Sequence, residues 1–238
     1  MIITPNENIR IVRKEVDSSH YYWVNGVFMP SVTKIIDEGA PMAYGLKQFL
    51  LNNTPESAEE IKNIAGGFGT DMHHAYEQLL KGEELNLFHD FKSLKAKKHL
   101  ASFAQWFADF NPTQIETEQT VASLEYKYAG TLDMLCVKDG EVWLIDFKTS
   151  RAIYWNYECQ VAAYKQAVEE TLGVKVDHCA ILRTGSQHKA GYEFKEVTRP
   201  IESFMNIYKI YLDMHDGVIP EPPSMSIYPN TIKLAITK

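Results

Sequence analysis

Apolar and polar positions change rhythm along this chain, and each change marks an element. Residues 8 to 16 alternate with the two-residue period of a half-buried strand, and Tyr21 to Met29 carries Asn25-Gly26 between apolar flanks, a hairpin signal. Ser31 then stands where the N-cap of a short helix to about Asp37 belongs. Asn52 to Glu60 is polar and reads as a loop or a helix start, forming a gate together with Gly66-Gly67. Behind the glycine-rich stretch Gly66, Gly67 and Gly69, the positions Met72, Ala75, Tyr76, Leu79 and Leu80 predict an amphipathic helix over 70–81. A second helix over 91–110 places Phe103, Trp106, Phe107 and Phe110 at i, i+3, i+4, i+7, the spacing of a core face.

The strand period returns over 115–126, 130–137 and 141–148, with the last two joined by Lys138-Asp139-Gly140 as an antiparallel hairpin. Tyr157, Val161, Tyr164 and Val168 recover helical spacing over 156–172, and Gly173 closes that helix. Strands at 175–184 and 191–197 and a helix at 200–215 follow. Pro220, Pro222, Pro223 and Pro229 then predict an extended tail. The pattern is that of an α/β protein. Its core, 67–216, follows an N-terminal hairpin and helical elaboration over 1–66 and precedes a proline-rich segment over 217–238, all in one compact domain.

Composition narrows the class. At 238 residues and 45% hydrophobic, the chain can bury one large core or a core with a small lobe. No apolar run reaches the roughly 18 residues of a membrane helix, and MIITPNENIRIVRKEV has neither a secretory apolar stretch nor an acid-poor transit character. Three dispersed cysteines, Cys136, Cys159 and Cys179, suit a reducing cytoplasm, bacterial or that of a phage-infected cell. A net charge of −7 argues against a protein that coats nucleic acid nonspecifically. It leaves room for an enzyme whose acids cluster around a metal and whose basic surface is local.

The candidate chemistry sits on the hairpin. Side chains alternate along a strand, so Val142, Leu144 and Asp146 share one face, which Lys148 continues. An Asp ending an apolar run with a Lys two residues on is costly unless charged groups meet there. Asp133 on the partner strand adds a second carboxylate. Hydrolysis of a phosphodiester needs hard oxygen ligands for Mg²⁺ or Mn²⁺ and a positive charge near the reacting phosphate, and Asp133, Asp146, the Phe147 carbonyl and Lys148 offer these. In isolation the same residues also fit a structural reading: a strand end, a hydrogen-bonded Asp and a simple ion pair. His73, one helical turn before Glu77, is a further candidate ligand, whereas His74 reads as structural or exposed. Gln160 and Tyr164, four apart on one helix face, could hold a phosphate or base, or equally be surface and packing. Glu118 is an acidic ligand or faces solvent. Lys92, Lys95, Lys97 and Lys98 form a solvated face or a DNA-tracking one, and Arg151, just past the strand, is the better-placed phosphate contact.

Taken in order, Gly69-Thr70-x-x-His73, Gly130-Thr131-Leu132-Asp133, Asp146-Phe147-Lys148-Thr149 and Gln160-x-x-x-Tyr164 resemble the RecB-type exonuclease branch of the PD-(D/E)XK nuclease superfamily. Met29-Pro30-Ser31-Val32-Thr33, followed by Lys34-Ile35-Ile36, is similar to a segment of the phage-type exonucleases and the mitochondrial genome maintenance exonuclease of that branch. The resemblance spans about residues 29 to 164. It implies a restriction-endonuclease-like αβββαβ core with a mixed central sheet. It also implies metal binding by His73, Asp133, Asp146 and the Phe147 carbonyl, catalysis by Asp133, Asp146 and Lys148, and substrate contact by Gln160 and Tyr164. The acidic position before the Lys, often Glu in the family, is Asp146 here. Some members hold an iron-sulfur cluster with four cysteines, and with three this chain is expected to hold none.

The resulting expectation is a Mg²⁺- or Mn²⁺-dependent exodeoxyribonuclease acting on DNA with a free end, single-stranded or frayed, in replication, recombination or repair, with room for a protein partner from those processes and no membrane association. Two alternatives use the same residues: a structure-selective or restriction-like endonuclease, and an inactive module that binds DNA ends. Lys148→Ala is expected to abolish cleavage and leave folding intact, on the premise that Lys148 is an exposed-site charge.

Overall fold

The computed structural model describes residues 8–16, 19–186 and 190–220. Strands β1 (Ile11–Val16), β2 (Ser19–Val24) and β3 (Val27–Met29) form an antiparallel meander. Asn25 and Gly26 join β2 to β3 with φ of 50° and 82°, the left-handed pair that a two-residue hairpin turn demands. Helix α1 (Val32–Gly39) begins where Ser31 accepts a hydrogen bond from the Lys34 amide, so the capping reading of Ser31 holds.

The next segment agrees with one expected alternative, a helix start within Asn52 to Glu60, and departs from expectation beyond it. A helix α2 (Tyr44–Leu51) forms, and α3 then runs unbroken over Pro55–Leu80. Thr54 caps α3 through its hydroxyl, and Pro55 supplies the preset φ favoured at a first helical turn. Gly66, Gly67 and Gly69 therefore lie inside a helix rather than at its entry, and residues 66 and 67 fall within one element. The glycines do not break it because a helical glycine costs only about 1 kcal/mol against alanine, less than the tertiary packing of Met72, Ala75 and Tyr76 returns. A methyl group on Gly66 or Gly67 would meet no atom within 4 Å. Gly66→Ala/Gly67→Ala should accordingly raise unfolding stability by about 1–2 kcal/mol. Urea titration checks this, and an unchanged or lowered midpoint would mean that the backbone there is not ordinary helix.

Helix α4 (Leu94–Phe110), strands β4 (Thr113–Ser123), β5 (Tyr128–Lys138) and β6 (Glu141–Lys148), helix α5 (Trp155–Leu172), strands β7 (His178–Arg183) and β8 (Glu193–Glu196), and helix α6 (Ile201–Met214) complete the order. The mixed five-stranded sheet runs β4-β5-β6-β7-β8, with β6 and β7 parallel and the other neighbours antiparallel. From α4 to β7 the succession is αβββαβ, as expected. Asp139 and Gly140 at φ 53° and 87° make the β5–β6 turn.

Alternation along β6 sorts the core into two layers. Leu144 packs with α1, α5 and α6 through Ile35, Val168 and Phe204. Ile145 and Phe147 point the other way, into α3 and α4, against Tyr76, Phe103 and Trp106. Phe147's ring is thus core. The N-terminal sheet docks by burying Tyr22, Val24 and Met29 on Ala122 and Ala129, and the Ala129 amide donates to the Pro30 carbonyl at 3.0 Å. The tail prolines beyond Pro220 lie outside the described residues.

Candidate active site

Register builds the site. Met134 pairs with Ile145 in the β5–β6 ladder, and one step further along that register Asp133 stands across from Asp146, where cross-strand Cβ atoms are about 4.5–5.5 Å apart. Asp133 Oδ2 accepts from the Phe147 amide at 2.6 Å. Its Oδ1 lies 3.0 Å from His73 Nδ1, brought in by α3. Lys148 Nζ approaches Asp146 Oδ2 to 2.5 Å. Lys148 is thus the close, charged partner of this buried oxygen.

Burial and charge compete at each group. Burial drives Asp146 up, Lys148 opposes this and Asp133 adds to it, and the carboxyl settles at about 6. For Asp133 burial also pushes upward, but the His73 and Lys148 charges and the Phe147 amide outweigh it and hold the carboxyl below its usual range. His73 is lifted by Asp133 against the pull of burial. Lys148 is likewise raised, since Asp146 and Asp133 overcome its desolvation, and it remains a cation. Its side chain is only 14% exposed, so the premise of an exposed Lys148 is corrected: it is half of a buried pair.

These groups line one open cleft of about 590 Å³, together with Gln160 and Tyr164. Gln160 Nε2 donates to the Tyr164 hydroxyl at 3.2 Å, so the pair four residues apart does meet. Tyr164 crosses Gly130 so closely that a methyl group there would lie 2.6 Å from its ring, which explains the glycine of the Gly-Thr-Leu-Asp segment. Arg151 is elsewhere. It lines a neighbouring cleft, across Thr149 and Ser150.

Local sequence reasoning missed one wall of the cleft. Tyr22 of β2 reaches Thr131 with 3.1 Å between hydroxyls, and Arg13 of β1 lies 3.8 Å from Glu118. Glu118, half-buried with φ 52°, faces this cleft, and its carboxyl is pushed up by burial and then by Asp133 and Glu77. The available signal was the inward phase of Tyr22 and Arg13 on alternating strands, which gives a face but no destination.

The expected ligands His73, Asp133 and Asp146 line this one cleft. Among the described residues no three His, Cys, Asp or Glu side chains form a group already arranged to hold an ion. The reason is visible in the network: His73 and the Phe147 amide occupy both oxygens of Asp133, and Lys148 lies against Asp146. The donor chemistry still fits a hard divalent cation. Two opposed carboxylates meet in one cleft beside an imidazole, the oxygen and nitrogen donors that such an ion takes.

Solved exonuclease structures are similar to this chain. One, from Eubacterium rectale, is described as a "Putative exonuclease"; it is 15% identical, with 88% of this chain and 91% of that one covered and a TM-score of 0.49. Another is an alkaline exonuclease from Laribacter hongkongensis, 10% identical, with 79% and 88% covered and a TM-score of 0.42. No family model and no curated protein matches the sequence. No helix among the described residues is long and apolar enough to cross a membrane.

Proposed function

We propose that this chain is a divalent-metal-dependent nuclease of exonuclease type acting on DNA. One observation carries the reading: Asp133, Asp146 and Lys148, drawn from two strands, converge with His73, Gln160 and Tyr164 in a single cleft at the carboxyl end of β6, where open α/β sheets bind ligands. Asp133, Asp146 and the Phe147 carbonyl would hold Mg²⁺ or Mn²⁺, with His73 beside Asp133 as the nitrogen donor of the set. When bound, the ion supplies Lewis-acid polarisation of the attacking water and neutralises phosphate charge.

The chain's own groups do the rest. Lys148, held cationic by two carboxylates, orients the attacking water and offsets charge on the pentavalent phosphate; its raised pKa makes it no proton acceptor. The Tyr164 hydroxyl, pushed well above 10 by burial, stays protonated. Because it accepts from Gln160, its own proton is available to a phosphate oxygen. The preference for strand ends comes from the sequence resemblance.

End-labelled single- and double-stranded DNA, linear and circular, incubated with Mg²⁺ or Mn²⁺ and with EDTA, tests the reading. The expected result is metal-dependent loss of nucleotides from linear substrates, with circles intact. Cleavage of circles as fast as linear DNA would remove the exonuclease assignment, and no cleavage under any condition would remove the nuclease one.

A further inference from the structure

The cleft beside the catalytic one is built differently. It encloses about 1180 Å³, and the described residues lining it include Lys95, Lys98, Arg151 and Arg183 but no Asp or Glu. Arg183 is partly neutralised, since Glu193 lies 2.7 Å away. Lys95, Lys98 and Arg151 are exposed and make no ion pair among the described residues, in a protein whose net charge is −7. Thr149, Ser150, Gly185 and Ser186 complete the lining; the Ser150 hydroxyl and the Gly185 and Ser186 amides donate within the protein, to Ala152, Ser102 and Gly191, and so brace the cleft wall. Burial, and then Lys95, Lys98 and Arg183, push the enclosed His99 down to about 4, so it is neutral.

Position gives this charge a purpose. Lys148 lines the catalytic cleft and Thr149, the next residue, lines the basic one. Helix α3 bridges both: Gly69 borders the catalytic side, while Phe68 packs edge-on against His99 and carries the Lys95 ammonium 3.8 Å above its ring. Three of the four lysines that the sequence leaves undivided now separate. Lys95 and Lys98, at i and i+3 on α4, face the cleft, whereas Lys97 covers Phe88.

We propose that this basic cleft is a phosphate-binding site that holds a phosphate group of the nucleic-acid strand next to the scissile bond, through Lys95, Lys98 and Arg151. The proposal rests on the nuclease reading above and adds the path by which the strand leaves the catalytic cleft. Cations that no carboxylate pairs among the described residues suit phosphate oxygens, and no Asp or Glu among the described lining residues repels a strand there.

The test is binding of a fluorescent single-stranded oligonucleotide in EDTA, where nothing is cut, across a salt series. Each lost phosphate contact lowers the slope of log K against log salt by about 0.7 for single strands. Because the three cations share one phosphate, Lys95→Gln/Lys98→Gln/Arg151→Gln should thus reduce it by about 0.7 and weaken binding about fivefold at about 0.1 M salt. Lys127→Gln/Lys175→Gln/Lys209→Gln, an equal charge change on other faces, should move neither quantity. Thermal melts confirm that both proteins are folded. Oligonucleotides with and without terminal phosphates distinguish the source: a loss seen with all of them marks a backbone phosphate, and a loss confined to phosphorylated ends marks a terminal one. Unchanged slope and affinity in the first variant, or an equal loss in the second, overturns the cleft assignment. Wild-type protein that cuts DNA while the first variant binds normally defeats this proposal alone, whereas wild-type protein that neither binds nor cuts defeats the nuclease reading.

Discussion

Lys148→Ala is expected to lower metal-dependent cleavage of end-labelled DNA by about 100- to 1,000-fold, the loss typical of removing one preorganised group that stabilises transition-state charge. The structure adds a cost that the sequence did not show. Lys148 is buried against Asp146, and removing one member of a buried pair typically costs about 3–5 kcal/mol because the other charge is stranded. Asp146 has an escape, since its carboxyl is already raised by burial to about 6 in the presence of the ammonium. Without Lys148 its folded value rises further. An acid whose folded pKa is raised loses stability as pH climbs from its unfolded to its folded value. Wild-type and variant protein share that loss up to about pH 6; above it only the variant continues to lose. Urea unfolding should therefore separate the two proteins more at pH 8 than at pH 5.5. An equal gap at both values would show that Asp146 is not the stranded charge, and wild-type turnover by the folded variant would remove Lys148 from the mechanism.

Which parts of this molecule could be read in advance follows from the range of the interactions that set them. Asp146 and Lys148 were legible because strand alternation and a two-residue Asp139-Gly140 turn are local, and they fix both the face and the register that sets Asp133 opposite. The Gln160–Tyr164 contact was legible for the same reason, as one helical turn. The start of α3 was misread because Gly66-Gly67 is strong punctuation only where packing does not override it. The cap at Thr54-Pro55 carried the better signal. Tyr22 and Thr131 are 109 positions apart, and no local period reports that their hydroxyls meet. The burial of Lys148 was hidden too, because a lysine ending a strand looks the same whether α5 covers it or water does; the Tyr157 ring 4.9 Å from its ammonium decides the matter.

Asp133 separates charge from scaffold, and two substitutions there should behave differently. Its Oδ2 satisfies the Phe147 amide and its Oδ1 engages His73. Asp133→Asn can keep both contacts, the amide oxygen accepting from Phe147 and the amide nitrogen donating to a neutral His73 ring, so the fold should persist within about 1 kcal/mol. The carboxylate is gone, however, and with it one of the two hard ligands and part of the field that keeps Lys148 cationic; cleavage should fall by at least about 100-fold. Asp133→Ala should be equally inactive but less stable, because a buried donor left without an acceptor costs about 1–3 kcal/mol and two partners are abandoned at once. Calorimetric titration with Mn²⁺ should show weakened binding in both. An Asn variant that cuts DNA at the wild-type rate would deny the carboxylate any catalytic part, and an Asn variant as unstable as the Ala one would mean that the charge of Asp133, rather than its hydrogen bonds, holds β5, β6 and α3 together at this point.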